Sequence, residues 1–294
     1  MNRMLIVVAT MLALSPAACD RAESVSFPAG TTMERLQKAG QIRIGVKSDQ
    51  PSLGFLNPAT NDYEGFDIEI ATIVAHELGL TRKQIRFVTT TSAVREDYLV
   101  DNRVDIVVAS YSMNEQRQDV VGQAGPYFIT GQQLLVRRAD QDVITGPGMV
   151  RADRVCSAKG STSIENWRKL YKAAPIWELT YTRCVQRLLA GSVDGVTTDG
   201  AVLLGYVAQL PTKLAVVGEP FSVDRYGIGY QKGDTAFCEF LRQVIADVSM
   251  DGRWDKAFRS TLGKANVRAP AKPPLQSCRG VAGSAGPGSI GPSA

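Results

Sequence analysis

Two polar turns in the sequence carry residue types that bind anions. In the first turn, Ser110 and Ser112 follow an apolar run that begins at Val104, and Arg117 comes soon after them. The serines can donate N–H and hydroxyl groups, and the planar guanidinium of arginine matches the two oxygens of a carboxylate. A capped helix with a surface arginine would have the same residues, so this turn predicts a carboxylate clamp only with support from other segments.

The second turn has the sequence Lys159-Gly-Ser-Thr-Ser163 and lies between a predicted strand and a predicted helix. Gly160 permits close approach of the backbone. Ser161 and Thr162 present hydrogen-bond donors at the helix N-terminus, where the backbone favours negative charge. These residues form a second candidate wall of an anion site.

A third joint between a strand and a helix carries the opposite charge. Asp199 closes the segment Thr197-Thr-Asp199, where it could cap the following helix or accept an ammonium group. A carboxylate clamp and a carboxylate acceptor together complement the charged end of an amino acid. The three joints therefore predict an amino-acid site.

Strand and helix patterns alternate along the chain, which predicts an α/β protein with largely parallel sheets covered by helices. Two successive sets of about five strands predict two lobes. We expect lobe 1 to comprise residues 31–136 and 223–268, and lobe 2 to comprise residues 137–222. Two linkers would then lie side by side as a hinge, with the ligand at the carboxyl ends of the strands.

The composition is that of an ordinary globular protein, with 44% hydrophobic and 21% charged residues. A net charge of +4 without a basic run argues against nucleic-acid binding. His76 is the only histidine, and the sequence has no phosphate-binding loop, dinucleotide fingerprint or nucleophile elbow. We therefore expect a binding protein without enzymatic activity, metal or cofactor.

The N-terminal segment predicts export. Arg3 precedes an apolar run, and small residues then lead to Cys19, so residues 1–18 are predicted to be a signal peptide. We expect Cys19 to be lipidated and to anchor the protein to the membrane. Plain secretion to the periplasm is the alternative, because Pro16 departs from the usual lipoprotein signal.

The segments that flank the folded part are polar and lack periodicity. Residues 19–30 are predicted to form a tether. Residues 269–294 are predicted to form a disordered tail, since their later part is rich in Gly, Ser, Ala and Pro.

The cysteines of an exported protein are expected to be oxidised. With Cys19 set aside, four cysteines remain, and they allow three pairings. We favour Cys156–Cys184 and Cys238–Cys278. A zinc site is the alternative, but the sequence lacks a CxxC spacing and has one histidine.

Several motifs in order resemble the polar amino-acid-binding proteins of bacterial ABC importers, solute-binding family 3. The resemblance covers about residues 31–265 and implies the two-lobed type II periplasmic-binding-protein fold, with a hinge and a ligand cleft between the lobes. The motifs that carry the resemblance are Gly65-Phe-Asp-Ile-Glu-Ile-Ala71, Val104–Arg117, Lys159–Ser163 and Val193-Asp-Gly-Val-Thr-Thr-Asp199.

The resemblance implies a role for each residue of the predicted site. Arg117 would bind the α-carboxylate of the ligand, assisted by Ser112 and Thr162. Asp199 and the backbone near Ser110 would bind the α-ammonium group. Aromatic residues often flank the ligand in this family, and the candidates here are Phe55, Phe66 and Tyr111.

The glutamate/aspartate-binding branch of the family is the most similar one. Lys47-Ser-Asp-Gln-Pro51 and Thr91-Ser-Ala-Val-Arg95 resemble segments of that branch, and so does the placement of Cys156 and Cys184. Lys47 and Arg95 would face an acidic side chain, because a buried carboxylate needs a paired cation. Glutamine or asparagine remains the alternative if these two cations point elsewhere.

The expected function is to capture glutamate or aspartate by closure of the lobes and to deliver it to the permease subunits of an ABC importer. Two other functions stay open at this point. The chain could be an anchored amino-acid sensor for a membrane signalling protein, or, with less support, an enzyme similar to cyclohexadienyl dehydratase.

Overall fold

The computed structural model describes residues 25–278. The predicted signal at residues 1–18, the lipidation site Cys19 and the tail residues 279–294 lie outside this range. The strands are β1 (Ile42–Val46), β2 (Asp49–Gln50), β3 (Gly54–Asn57), β4 (Asp62–Glu64), β5 (Ile85–Thr89), β6 (Ile106–Val107), β7 (Gly122–Thr130), β8 (Gln132–Arg137), β9 (Val155–Ala158), β10 (Ile176–Glu178), β11 (Gly195–Asp199), β12 (Leu214–Val217) and β13 (Asp224–Tyr230). The α-helices are α1 (Thr32–Ala39), α2 (Phe66–Glu77), α3 (Arg95–Val100), α4 (Glu115–Gln118), α5 (Thr162–Tyr171), α6 (Tyr181–Leu189), α7 (Gly200–Gln209), α8 (Thr235–Met250) and α9 (Arg253–Ser260).

The strands form two mixed sheets of the same plan. The first has the order β5-β1-β6-β13-β7, and the second has the order β10-β9-β11-β8-β12. In each sheet the first three strands are parallel, the fourth is antiparallel to the third, and the fifth is antiparallel to the fourth. A separate small sheet is built from β2, β3 and β4. Each large sheet is the centre of one α/β lobe.

Helices cover the sheets with apolar faces at helical spacing. In α6 the buried residues are Tyr181, Cys184, Val185 and Leu188, and Thr180 caps the helix by accepting the N–H of Arg183. Phe66 opens α2 and lies in an aromatic cluster with rings of β7 and α9. The two closing helices α8 and α9 therefore pack on the first lobe.

The chain passes between the lobes at two adjacent points. Strand β8 belongs to the second sheet, where Leu135 lies opposite Val196. The first crossing is thus at Gly131, and the boundary predicted at residue 136 is too late because residues 132–136 pair in lobe 2. The second crossing lies between β12 and β13. There Phe221 donates its N–H to the carbonyl of Gln132 at 2.9 Å, so the crossings are hydrogen-bonded to each other.

Both favoured disulfides are present. Cys156 of β9 is bonded to Cys184 of α6, and Cys238 of α8 is bonded to Cys278, with Cα–Cα distances of 5.5 and 5.9 Å. These four cysteines are therefore not ligands of a metal, and the zinc alternative is wrong.

The disorder predicted from residue 269 is wrong for residues 269–278. The N–H of Gln276 donates to the carbonyl of Gly125 at 2.8 Å, and Lys272 pairs with Asp255 at 3.0 Å. The polar composition of the segment predicts no core of its own, but the disulfide at Cys278 and the edge strand β7 hold it in place.

The segment predicted as a tether also makes contacts in its described part. The ring of Phe27 packs edge-on against Phe240 of α8 at 5.6 Å, and Gln37 donates to the carbonyl of Val25 at 2.6 Å. Among residues 25–278, no helix combines the length and the apolar character that a membrane span requires.

Candidate functional site

The carboxyl ends of strands from both sheets meet at one cleft. Lys47 follows β1, Ser110 follows β6, Ser161 follows β9 and Asp199 ends β11. The centre of the cleft is lined from both lobes by Ser92, Arg95, Ser110, Ser112, Ser161, Thr162, Ser163, Tyr181, Thr198 and Asp199. Seven of the eight predicted ligand-binding residues are in this lining or, for Lys47, bonded to it.

Arg117 lies at the edge of this cleft and reaches both lobes. Its Nη1 donates to the carbonyl of Ser112 at 2.6 Å, and its Nη2 donates across the cleft to the carbonyl of Gly160 at 3.2 Å. Its Nε pairs with Glu96 at 3.0 Å. The short helix α4 fixes the backbone of Arg117, whose N–H donates to the side chain of Asn114.

Arg95 is buried beside Arg117. The two guanidinium groups lie over the ring of Tyr111, at 4.4 Å for Arg95 and 5.0 Å for Arg117. Nη1 of Arg95 donates to the carbonyl of Ala109 at 2.9 Å, whereas its buried Nε has no hydrogen-bond partner within residues 25–278. Burial, followed by the charge of Arg117, lowers the pKa of Arg95.

Lys47 is the third buried cation of the cleft. Its Nζ donates to the hydroxyl of Ser92 at 2.8 Å, and within the described residues it forms no ion pair with a carboxylate. Burial and then the nearby Arg95 hold the pKa of Lys47 well below its ordinary value.

The opposite wall comes from the second lobe. Ser161 precedes α5 without capping it through its side chain, and Thr162 begins that helix. The hydroxyl of Thr162 lies 3.3 Å from that of Ser112 in the first lobe. Tyr181 enters the same lining from the start of α6, and burial raises the pKa of its phenol.

Asp199 occupies the position before α7 but does not cap it through its side chain. Its Oδ2 accepts the hydroxyl of Tyr226 at 2.5 Å, and its buried Oδ1 has no partner among residues 25–278. Burial, and next the carboxylate of Asp224, raise the pKa of Asp199 well above its ordinary value. A cation at Oδ1 would satisfy this oxygen and stabilise the charged form.

The backbone N–H of Ser110 has a partner within the first lobe. Its N–H donates to Oδ2 of Asp67 at 2.7 Å, and the residue adopts a left-handed backbone with φ of 44°. Asp67 is fully buried and also accepts the hydroxyl of Tyr127. Ser110 lines the cleft, and its carbonyl accepts a hydrogen bond from Nη1 of Arg95 at 3.4 Å.

Five residues of the site were not among the predicted ligand-binding residues: Ser92, Glu96, Ser163, Tyr181 and Thr198. The first two flank predicted residues, so proximity in sequence to Arg95 was the available signal. Among the aromatic candidates, Phe66 belongs to the core of the first lobe, while Tyr111 lies beneath the two guanidinium groups.

The cavity at the centre of the cleft measures about 10 Å³, the space of one water, so an amino acid enters only if the walls move.

Residues 42–264 match the family model of the bacterial extracellular solute-binding proteins, family 3. The glutamate-binding protein GluB of Corynebacterium efficiens is 34% identical over 235 residues, which cover 76% of this chain and 80% of that protein. The glutamine-binding protein of Geobacillus stearothermophilus is 35% identical, with 76% and 85% covered.

The solved structures agree with this relationship. An ancestral arginine-binding protein bound to arginine superposes with a TM-score of 0.70 at 30% identity, covering 76% of this chain and 98% of that one. The fold is therefore the two-lobed fold of amino-acid-binding proteins, with the ligand cleft between the lobes. The match across most of the chain shows that it belongs to the bacterial extracellular solute-binding proteins, family 3, in the branch that includes glutamate- and glutamine-binding proteins.

Proposed function

We propose that the protein captures an acidic amino acid, glutamate or aspartate, in the cleft. One observation carries the proposal: the buried cations Lys47, Arg95 and Arg117 share the cleft with a carboxylate oxygen of Asp199 that has no partner in the described part of the chain. In this assignment Arg117 binds the α-carboxylate, and Asp199 binds the α-ammonium group. Ser110, Ser112, Ser161 and Thr162 supply the polar contacts around that end of the ligand.

Two of these cations, Lys47 and Arg95, have no carboxylate partner among the described residues, and this favours a ligand with an acidic side chain over one with an amide. Glu96 already pairs with Arg117, whereas Lys47 is bonded to a hydroxyl and Arg95 to carbonyl groups. A second ligand carboxylate would neutralise these two cations at the place where burial makes a lone charge costly. Glutamine would leave that charge in place.

Binding would proceed by closure of the lobes. The ligand joins two polar walls that belong to different lobes, so it stabilises the closed arrangement and shifts the population toward it. The contact from Arg117 to the carbonyl of Gly160 is the one that a ligand carboxylate would replace. The closed protein would then present the amino acid to the permease subunits of an ABC importer.

Calorimetric titration tests the ligand assignment. The ligand-free protein is titrated with glutamate, aspartate, glutamine, asparagine and arginine. We expect the acidic amino acids to bind at least about tenfold more tightly than the amides, a difference of about 1.4 kcal/mol. Equal affinity for acids and amides, or no binding of any of them, contradicts the acidic pocket.

We also propose export and anchoring through a lipid at Cys19. Support comes from the sequence before Cys19, from the family's extracellular place and from two disulfides, which persist in oxidising compartments. Labelled palmitate should be incorporated into the wild-type protein and not into Cys19→Ser.

Glutamate uptake should fall in a strain without this chain, and normal uptake would instead support the sensor function.

A further inference from the structure

A second contact between the lobes lies beside the ligand cavity. Asp49 of the first lobe directs its Oδ2 at the start of α6 in the second lobe, where it accepts the N–H of Tyr181 at 2.8 Å and that of Thr182 at 3.4 Å. The first N–H groups of a helix lack partners within the helix and favour a negative charge. Since Thr180 satisfies the next N–H, Asp49 completes the cap of α6 from across the cleft.

The backbone of Asp49 makes a further contact with the second lobe. Its carbonyl accepts the hydroxyl of Tyr206 from α7 at 2.5 Å and the hydroxyl of Thr182 at 3.3 Å. One residue of the first lobe is therefore bonded to two helices of the second. Helix α6 is in turn fixed to its sheet by the disulfide between Cys156 and Cys184.

The approach of α7 to this contact depends on a glycine. A Cβ atom added to Gly205 would lie 2.1 Å from the carbonyl oxygen of Pro51, so a larger residue cannot fit in this arrangement. Gly205 has an ordinary helical backbone, and alanine favours that backbone on its own. The restriction therefore comes from contact between the lobes.

We propose that these residues form a latch, defined as Asp49 and Pro51 of the first lobe with Tyr181, Thr182, Gly205 and Tyr206 of the second, and that this latch sets the closing equilibrium. The inference rests on the proposed function in one respect, since it assumes that ligands bind by closure. Of the latch residues only Tyr181 lines the central cavity. The latch therefore raises the affinity for every ligand by the same factor and does not contribute to selectivity.

A bound amino acid leaves the latch intact. The ligand replaces contacts within the cavity, such as that of Arg117 with Gly160, but the partners of Asp49 are backbone groups and hydroxyls at the start of α6 and on α7. The apparent dissociation constant equals the intrinsic one divided by the fraction of closed protein. Loss of the latch lowers that fraction and shortens the life of the complex.

The test compares three variants with matched controls. Asp49→Ala removes the cap, Tyr206→Phe removes one hydroxyl and Gly205→Ala introduces a collision without removing a polar group. Asp62→Ala, an exposed carboxylate of the same small sheet, and Gly148→Ala, where an added Cβ meets nothing within 4 Å, are the controls. The dissociation constant and dissociation rate are measured for glutamate, aspartate and glutamine.

We expect Asp49→Ala to weaken binding about tenfold, the effect of one charge-assisted hydrogen bond. Gly205→Ala should also weaken binding, through the collision with Pro51. In each variant the loss should be the same factor for every ligand and arise mainly from faster dissociation. The controls should match the wild type. Unchanged or tighter binding in both variants, or a loss confined to one ligand, overturns the latch.

A second measurement separates the latch from the proposed function. If the wild type binds none of the amino acids, the acidic pocket fails, and small-angle scattering of the ligand-free proteins then tests the latch. We expect a larger radius of gyration for Gly205→Ala than for the wild type and Gly148→Ala. Identical scattering overturns the latch, and thermal unfolding confirms that each variant is folded.

Discussion

Two guanidinium groups on one phenol ring are the central feature at the residue scale. The guanidinium groups of Arg95 and Arg117 lie over the ring of Tyr111, and the hydroxyl of Tyr111 donates to Glu96 at 2.9 Å. Glu96 also pairs with Arg117, so one carboxylate and one ring hold the Arg117 guanidinium in place. In the proposed carboxylate-binding role of Arg117, this support would orient the planar guanidinium before a ligand arrives and lower the entropy cost of binding.

Replacement of Arg117 by lysine should abolish most binding of every amino acid. Lysine keeps the positive charge but cannot form the paired hydrogen bonds of a guanidinium to a carboxylate. We expect a loss of about 100-fold for acidic and amide ligands alike, equivalent to two charge-assisted hydrogen bonds. Titration measures the loss, and binding within a few-fold of the wild type would remove Arg117 from the clamp.

Arg95→Met should instead change selectivity. Methionine keeps much of the side-chain volume against Tyr111 but removes the charge that faces the proposed second carboxylate. We expect glutamate to lose at least about tenfold more affinity than glutamine. Arg82→Met is the matched control, because Arg82 also lies over an aromatic ring of the first lobe, that of Phe87, outside the cleft lining. An equal loss for both ligands would show that Arg95 has a structural role only.

Asp67 should make stability depend on pH. Burial raises the pKa of Asp67 to about 6 from an ordinary value of 3.8, against opposing hydrogen bonds from Tyr127 and Ser110. Because the folded pKa is the higher one, its contribution to stability is full below pH 4 and is lost as the pH rises to 6.

The measurement compares urea unfolding of wild type and Asp67→Asn between pH 4 and 7. Asparagine does not ionise, so the free energy of unfolding of the variant relative to wild type should rise over this range by up to about 3 kcal/mol. A constant difference across the range would contradict the raised pKa.

At the scale of elements, joints between strands and helices position the site. The strands β1, β6, β9 and β11 each end at the cleft, and a polar residue follows or closes each one. The second wall depends on α6, which the disulfide between Cys156 and Cys184 ties to β9. The other disulfide holds the C-terminal segment against α8, away from the cleft.

Removal of the two disulfides should therefore have different effects on binding. Their loops are similar, with sequence separations of 28 and 40 residues, and each contributes up to about 4 kcal/mol in the loop-closure treatment. We expect Cys238→Ser with Cys278→Ser to lower stability and leave glutamate affinity unchanged. The pair Cys156→Ser with Cys184→Ser should lower both. Urea unfolding and titration provide the readouts, and equal affinities in the two double variants would contradict the difference.

The elements predicted correctly are those whose own residues form a clear strand or helix pattern. The alternating strand and helix patterns predicted two sets of about five strands, and the structure has two five-stranded sheets. The predicted cysteine pairs and the predicted position of Asp199 between a strand and a helix are also present. Strand β7 was missed because Gly122, Gly125 and Pro126 are typical of a turn, yet pairing with β13 holds the segment extended. Helix α1 and the small sheet were missed because their segments are short and mixed in polarity.

The partners across the site were beyond prediction from one sequence. The bonds from Ser110 to Asp67, from Tyr226 to Asp199 and from Arg117 to Glu96 join residues that are far apart in the chain or on different elements. Only the packing of the sheets decides which of many polar groups meet. The same holds for Asp49 and α6.

At the scale of the whole molecule, closure of the cleft brings backbone against backbone. A Cβ atom added to Gly160 of the second lobe would lie 2.6 Å from the Cα of Ala93 in the first. The closed form therefore requires glycine at this position, in addition to the positive φ of 75°.

Gly160→Ala should keep the lobes apart even with glutamate present. Gly191→Ala is the matched control, because Gly191 also has a positive φ, of 72°, but an added Cβ there meets nothing within 4 Å. With saturating glutamate, small-angle scattering should give a larger radius of gyration for Gly160→Ala than for the control and the wild type. Equal radii for all three proteins would contradict a steric role of Gly160 in closure.

The adjacent crossings between the lobes make the second lobe one uninterrupted piece of chain. It enters at Gln132 and leaves near Phe221, and these residues are bonded to each other at 2.9 Å. A segment whose two ends lie together can be exchanged as a module without stretching the chain that receives it. We therefore expect that residues 132–221 could be replaced by the corresponding segment of a relative, yielding hybrid receptors in which one wall of the cleft is inherited from each parent.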